Sequence, residues 1–208
     1  MEPEIRALRR YLHQNSEPSN EEFQTTTKVA DILNEAGIDT QIAPTGRGLL
    51  ANSAFQKGPK RIALRADMDA LRIQDEKTVE YRSTKPNLMH ACGHDAHTAM
   101  LTGTVKALAE LDRRHPDKMT WRAIFKPAEE TASGALEMID WGAMKDVDAV
   151  VGLHVDPLIP VGQITSRPGP LSDICEEIEI TVKGRGGHGA RPNHRPNCNW
   201  NRTHKPHI

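Results

Sequence analysis

The sequence of 208 residues is long enough for one large domain, or for one domain and part of a second. Its hydrophobic fraction of 37% can form a core, and 27 Lys and Arg against 28 Asp and Glu give a net charge of −1. This charge favours neither nucleic acid nor a membrane as a partner, and a small or peptide-like substrate is expected. With no signal-peptide pattern and no apolar run near the roughly 18 residues of a membrane span, we expect a cytoplasmic protein.

The predicted elements alternate between helices and strands. Apolar residues recur at helical spacing over residues 3–14 and 19–36, and Ser19 with Glu22 predicts a capping box for the second helix. Strands are expected at 38–42, 48–53, 61–66, 121–125 and 147–153, with 61–66 and 147–153 buried. Two more helices are expected, one capped by Asp95 and ending before His115, the other over 132–141. This order favours an α/β sheet covered by helices on both faces.

The composition changes after residue 156. Pro, Gly and polar residues fill the stretch to residue 170, which indicates a connection, and residues 174–182 alternate as a strand does. A second domain is therefore expected from residue 173. The glycines that follow at 184–189 do not match a phosphate-binding loop, because no GK[ST] follows and no GxGxxG opens a helix.

The segment LMHACGHDAHTAM, residues 88–100, is dense in possible metal ligands. It contains Cys92, His90, His94, His97 and Asp95 at an apparent helix start. A thiolate, imidazoles and carboxylates bind first-row transition metals, so the segment predicts a metal site. A buried thiol beside incidental surface histidines is the alternative. Nucleophilic chemistry by Cys92 with His94 is disfavoured, because no third group is evident to orient the imidazole.

Further polar residues follow the predicted strands. Asp67 and Asp69 follow 61–66, Glu129 and Glu130 follow 121–125, and His154 follows 147–153. Each alone has a structural explanation: a loop cap, a solvated acidic helix start or a hydrogen-bonded core histidine. Because ligands collect beyond the carboxyl ends of strands in such sheets, their coincidence favours one site.

Several motifs in a fixed order resemble one family. LRRYLHQ, LRADMDAL, MHACGHDAHTAML, FKPAEE, VGLHVDP and GRGGHGARP, between residues 8 and 192, resemble the metal-dependent N-acyl-amino-acid amidohydrolases, the hippurate-hydrolase and auxin-conjugate-hydrolase branch of the aminoacylase and carboxypeptidase clan. The resemblance implies a three-layer α/β catalytic domain with a central mixed sheet between helices. It places the first part of this domain at 1–172, and the start of a small α+β lid and dimerisation domain at 173–192.

The resemblance also implies roles for individual residues. The metal ligands are Cys92 as a bridging thiolate, His94, Glu130 and His154. Glu129 is the general base, and His188 of the lid reaches the substrate carbonyl across the dimer. The residues that orient the ligands are Asp67, Asp69, His90 and His97.

The implied reaction is hydrolysis of the amide bond of a small N-acyl amino acid by a homodimer. Two divalent ions, of zinc, manganese, cobalt or nickel, would activate the water. A dipeptidase or carboxypeptidase of the same clan and a non-catalytic metal-binding remnant are the alternatives.

Two departures from the family pattern affect these expectations. Lys126 stands where the family usually has Gln, which adds a charge near the metals. The family is also about twice as long, and residues 193–208 match none of it. We therefore expect a truncated chain, with an aberrant, frame-shifted or disordered tail and little or no activity of its own.

Overall fold

A computed structural model describes residues 1–54, 60–116 and 120–170. The chain divides into two units, Met1–Leu158 and Ile159–Ile208. The expected second domain at 173–192, with His188, and the expected tail at 193–208 lie outside the described residues. The elements of the first unit are α1 (Glu2–Gln14), α2 (Phe23–Glu35), β1 (Thr40–Ile42), β2 (Leu49–Asn52), β3 (Arg61–Asp67), α3 (His94–Arg114), β4 (Thr120–Lys126), α4 (Gly134–Asp140) and β5 (Ala149–Gly152).

The five strands form one mixed sheet in the order β1-β2-β4-β3-β5. β2 pairs antiparallel with β1 and β4, whereas β3 lies parallel to both β4 and β5. The parallel register places Asp67 beside Lys126, so β3 and β4 end together. The prediction of a mixed α/β sheet between helices is confirmed.

Alternate side chains of the strands bury opposite faces of the sheet. One face packs Leu49, Ala66, Trp121 and Phe125 against residues of α2 and α3, among them Leu33 of α2. The other face packs Leu50, Ala63 and Ile124 against Met138 of α4. Because side chains of a strand point alternately to its two sides, the short apolar segments supply both cores. The first unit is therefore built in three layers, with α2 and α3 on one face of the sheet and α4 on the other.

Helix α1 packs against α3. Leu8 and Leu12 of α1 are buried with Ala99 of α3. The contact is close at Gly103, where an added Cβ would lie 2.3 Å from Cδ1 of Ile5. Contacts with α1 therefore help to fix the position of α3, whose first residue is the predicted ligand His94.

Two predicted helix caps are wrong. Ser19 does not cap α2, because its hydroxyl donates a hydrogen bond of 2.6 Å to Oδ2 of Asp69. The N-cap position of α2 is Glu22, whose side chain makes no capping hydrogen bond. Asp95 lies inside the first turn of α3, and Gly93 occupies the N-cap position with φ +84°.

The prediction of a buried strand at 147–153 is also wrong in part. A strand forms there, but all four residues of β5 are exposed. The reason is its place at the end of the strand order, where β3 is its partner within the described part of the chain.

The described residues of the second unit, 159–170, contain a turn in which the N–H of Gln163 donates to the carbonyl of Pro160 at 3.1 Å. They contain no helix or strand, as expected of a connection. Within the described ranges, none of the helices combines the length and the apolar character needed to cross a lipid bilayer.

Candidate metal centre

The predicted metal ligands lie at the edge where the parallel strands end. β3 ends at Asp67, β4 at Lys126 and β5 at Gly152, and α3 begins at His94 beside them. Side chains 62 residues apart meet there: Sγ of Cys92 lies 3.2 Å from Nε2 of His154. The prediction that these residues converge at one rim of the sheet agrees with this geometry, while their metal-binding roles stay predictions.

Three overlapping groups of side chains have donor atoms within 4.8 Å of one another. The groups all share His94, and its Nε2 lies 3.9 Å from Oε2 of Glu129 and 3.8 Å from Oε1 of Glu130. They are Cys92 with His94 and His154, His94 with Glu129 and Glu130, and Asp67 with His94 and His97. Sulfur, imidazole and carboxylate donors at this spacing suit transition-metal ions.

Asp69 holds two parts of the site in place. Nδ1 of His94 lies 2.9 Å from its carbonyl oxygen and 3.2 Å from its Oδ1, and the N–H of Glu130 donates to its Oδ2 at 3.0 Å. Burial acts to raise the pKa of Asp69, but hydrogen bonds from His94, Ser19 and the Glu130 backbone outweigh it and keep this pKa well below its usual range. Asp69 is therefore an ionised acceptor that directs Nε2 of His94 towards the glutamates.

Two buried polar atoms show whether the residues present fit a metal ion. Nε2 of His94 and Oε1 of Glu130 are buried and have no hydrogen-bond partner among the described residues. Two buried polar atoms that face each other across 3.8 Å without partners are unfavourable unless a third group joins them. A divalent cation between them would satisfy both, so the residues present fit such an ion.

The charges around His94 also favour a cation. Burial lowers the pKa of His94, but the hydrogen bond between Nδ1 and Asp69 and the nearby sulfur of Cys92 outweigh it and raise this pKa to about 10. Burial raises the pKa of Glu130, and although His94 opposes this, repulsion from Glu129 and Asp69 adds to it. The negative groups that favour a proton on His94 also attract a metal ion, which must displace that proton in order to bind.

Asp67 and His97 are better placed as supports than as ligands. Asp67 forms ion pairs with Arg65 at 2.6 Å and with Lys126 at 3.0 Å. Nε2 of His97 accepts the N–H of Val155 at 3.0 Å, which anchors the residue after His154. Burial, with the neighbouring His154 and His94, lowers the pKa of His97 to about 3, so this ring is neutral as an acceptor must be.

His90 is not brought against the predicted ligands. It is buried, neither of its ring nitrogens has a hydrogen-bond partner in the described part of the chain, and its ring centroid lies 6.4 Å from that of His13. Burial lowers the pKa of His90 to about 4. Its role in orienting ligands stays a prediction, as does that of His188.

Sequence reasoning missed two charged partners of the site. Arg65 lies two residues before Asp67 on β3, and this spacing puts both side chains on one face of a strand, a signal the sequence does contain. Glu22, treated as part of a capping box, instead accepts the backbone N–H of Ala128 at 2.7 Å. This contact spans 106 residues, and local sequence patterns carry no signal for it.

A mixed α/β sheet that gathers thiolate, imidazole and carboxylate donors beyond its parallel strand ends defines the class of α/β metallohydrolases. Residues 63–202 match the model of the peptidase family M20/M25/M40, and the chain belongs to this family.

Two relatives are similar over nearly the whole chain. An N-acetyl-L-cysteine deacetylase of Bacillus subtilis is 41% identical over 194 residues, which cover 92% of this chain and 46% of the relative. An N-acyl-L-amino acid amidohydrolase of Geobacillus stearothermophilus is 40% identical over 190 residues, 91% of this chain and 51% of the relative.

A solved structure is similar as well. The YXEP protein of Bacillus subtilis, described as a dinuclear metal binding peptidase from the M20 family, is 39% identical with a TM-score of 0.77, and the match covers 81% of this chain and 47% of that one. The chain thus spans about half the length of the relatives it matches.

Proposed function

We propose that the protein is a two-metal amidohydrolase that releases the acyl group from small N-acyl amino acids. The observation that carries this proposal is a pair of buried atoms, His94 Nε2 and Glu130 Oε1, that have no hydrogen-bond partner in the described residues. They lie 3.8 Å apart at the strand ends, in one cluster with Cys92 and His154. The deacetylase and amidohydrolase relatives support the choice of substrate class, and the dinuclear neighbour supports two ions.

Cys92, His94, Glu130 and His154 would hold the ions. When bound, divalent ions polarise the amide carbonyl and make a water molecule acidic near neutral pH. Zinc, manganese, cobalt and nickel suit this mixed donor set. Asp69 keeps Nε2 of His94 directed at the site through its contacts with Nδ1.

Glu129 would act as the general base. Its side chain is 36% exposed, and Oε2 lies 3.9 Å from Nε2 of His94, so it reaches both solvent and the donor cluster. Its carboxylate takes a proton from the attacking water and delivers it to the leaving nitrogen. Glu130, 19% exposed and next to it in sequence, remains available as a ligand.

The remaining parts of the proposal concern the whole protein. A cytoplasmic homodimer is proposed, with a lid domain that begins at residues 173–192 and follows the part of the catalytic domain at 1–172. In this arrangement His188 of the lid stabilises the oxyanion of the tetrahedral intermediate.

The test measures metal binding and turnover separately. Elemental analysis of the purified chain after dialysis with cobalt, manganese or zinc is expected to show bound metal, and Glu129→Gln is expected to retain it. Amino acid release from N-acetyl and N-benzoyl substrates is then compared in the two proteins. Metal-dependent turnover that Glu129→Gln abolishes would support the proposed function and overturn the expectation that this chain has little activity. A chain that takes up no metal would refute the proposed centre.

A further inference from the structure

The segment of residues 127–133, which carries Glu129 and Glu130, has a strained backbone. Ala128 and Ala132 have φ of +49° and +55°, in the left-handed region that is unfavourable for residues with a side chain. We call this segment the glutamate loop. Its conformation sets the directions of the proposed base and ligand, so contacts that hold Ala128 are relevant to the site.

Glu22 makes such a contact from another part of the chain. Its side chain is fully buried, and Oε1 accepts the N–H of Ala128 at 2.7 Å. The carbonyl of Ala128 in turn accepts the N–H of Gly134 at 3.1 Å. Ala128 is therefore held on one side by the N-cap residue of α2 and on the other by the first residue of α4.

The cap of α2 does not need the Glu22 side chain. The first N–H groups of this helix donate instead to Glu17, from Gln24 at 3.1 Å and from Thr25 at 2.8 Å. Glu22 makes no side-chain capping bond to its own helix. In the described residues the carboxyl group of Glu22 is instead engaged by the N–H of Ala128.

Glu22 is an unfavourable residue to bury at this position. Its Oε2 has no hydrogen-bond partner in the described ranges, and Nη1 of Arg47, at 3.8 Å, is shared with Asn20. Burial raises the pKa of Glu22 above its usual value, which shows that the surroundings disfavour its charge. A buried carboxyl group with so few partners is weak support for stability, which points to another use.

We propose that Glu22 is a positioning residue that fixes the glutamate loop through the N–H of Ala128 and so sets the directions of Glu129 and Glu130. The metal-related part of this inference rests on the proposed function. The positioning part does not, because it concerns the loop in the metal-free chain as well.

The test compares three variants. Glu22→Leu removes the acceptor and keeps a buried side chain of similar size. Glu22→Gln keeps an oxygen that can accept the Ala128 N–H. Glu21→Gln is the matched control, because Glu21, the exposed neighbour of Glu22, pairs with Arg72 rather than with the loop.

Amide hydrogen exchange of the metal-free proteins gives the first readout. In Glu22→Leu the exchange rate of the Ala128 amide is expected to rise about tenfold or more, the effect of losing one hydrogen bond to a buried carboxyl oxygen. The amides of β3 and β4 should not change. In Glu22→Gln and Glu21→Gln the exchange rate of the Ala128 amide should remain within about threefold of the wild-type rate. This change is smaller than the one expected from losing one such hydrogen bond.

Metal affinity by calorimetric titration gives the second readout. Glu22→Leu is expected to bind cobalt or zinc about tenfold or more weakly, the loss typical of residues that orient ligands, while Glu22→Gln stays near the wild type. Unchanged exchange at Ala128, or faster exchange with unchanged metal affinity, would overturn the proposal. If Glu22→Leu fails to fold while Glu22→Gln folds as the wild type does, Glu22 is a general stabilising residue, and the proposal is overturned as well. If the wild type binds no metal, the proposed function fails and exchange alone decides whether Glu22 orders the loop.

Discussion

Replacement of His13 by Ala should destabilise the protein strongly, because His13 joins two buried carboxylates. Its side chain is 1% exposed, with Nδ1 2.8 Å from Oδ2 of Asp95 and Nε2 3.2 Å from Oδ2 of Asp75. Each hydrogen bond to a charged group contributes about 1.5–3 kcal/mol. Some compensation remains, since Arg9 lies 2.8 Å from Asp95 and Lys77 lies 3.1 Å from Asp75.

The expected loss for His13→Ala is therefore about 3–4 kcal/mol, below the sum of the two bonds plus a cavity. For a chain of this size, such a loss lowers Tm by about 10 °C. Urea and thermal unfolding followed by circular dichroism at pH 7 measure both values. His115→Ala is the matched control, since this exposed residue at the end of α3 should change the free energy of unfolding by less than about 0.5 kcal/mol. A loss below about 1 kcal/mol for His13→Ala would refute the reasoning, because it would mean that the other partners satisfy both carboxylates.

Three further predictions concern metal binding at the candidate centre, stability at acid pH and the packing next to the glutamate loop. Cys92→Ser should weaken zinc or cobalt binding by about 100-fold or more in calorimetric titration, whereas Cys198→Ser should not; equal affinities would exclude Cys92 as a ligand. Burial acts to raise the pKa of Asp75, but N–H groups of Ser83 and Lys77 and the Lys77 ammonium outweigh it and keep this pKa below its usual range. The stabilisation from ionised Asp75 is thus present above about pH 4 and is lost as the pH falls further. The difference in free energy of unfolding between wild type and Asp75→Asn should therefore shrink below about pH 4, and a difference that widens there would contradict this. Gly134→Ala should lower stability by about 2 kcal/mol or more in urea unfolding, because its Cβ would lie 1.7 Å from the Pro127 carbonyl oxygen, whereas Gly152→Ala, with no atom closer than 3.8 Å, is the tolerated control.

The sheet and its helices could be predicted because their signals are local. Apolar residues at helical spacing gave α1 and α3, and the run at 61–66 gave β3, within a few residues of the observed bounds. The caps failed for the opposite reason. Ser19 and Glu22 fit a local capping pattern, but Asp69 and Ala128 engage their side chains from elsewhere in the fold.

The candidate site shows the same division. That Cys92 and His154 meet follows from the rule that strand ends in such sheets share one edge. The partners of each carboxylate do not follow from any rule of spacing. Asp95 was expected to cap α3, yet it contacts His13 and Arg9 on α1, because helix packing brought a histidine and an arginine to its oxygen atoms.

Lys126 illustrates why pairing, rather than residue type, decides the charge at the site. From the sequence it adds a positive charge near the proposed metals, which would oppose their binding. In the structure its Nζ lies 3.0 Å from Oδ1 of Asp67, the residue beside it in the parallel register, and Arg65 lies 2.6 Å from the other oxygen of that carboxylate. Lys126 and Arg65 therefore neutralise Asp67 and make it a poor ligand. Oδ1 of Asp67 and Oε1 of Glu130 both lack a hydrogen-bond partner in the described residues, but the Lys126 ammonium lies 3.0 Å from Oδ1 of Asp67, so a cation is favoured on the side of His94 and Glu130 rather than beside Asp67.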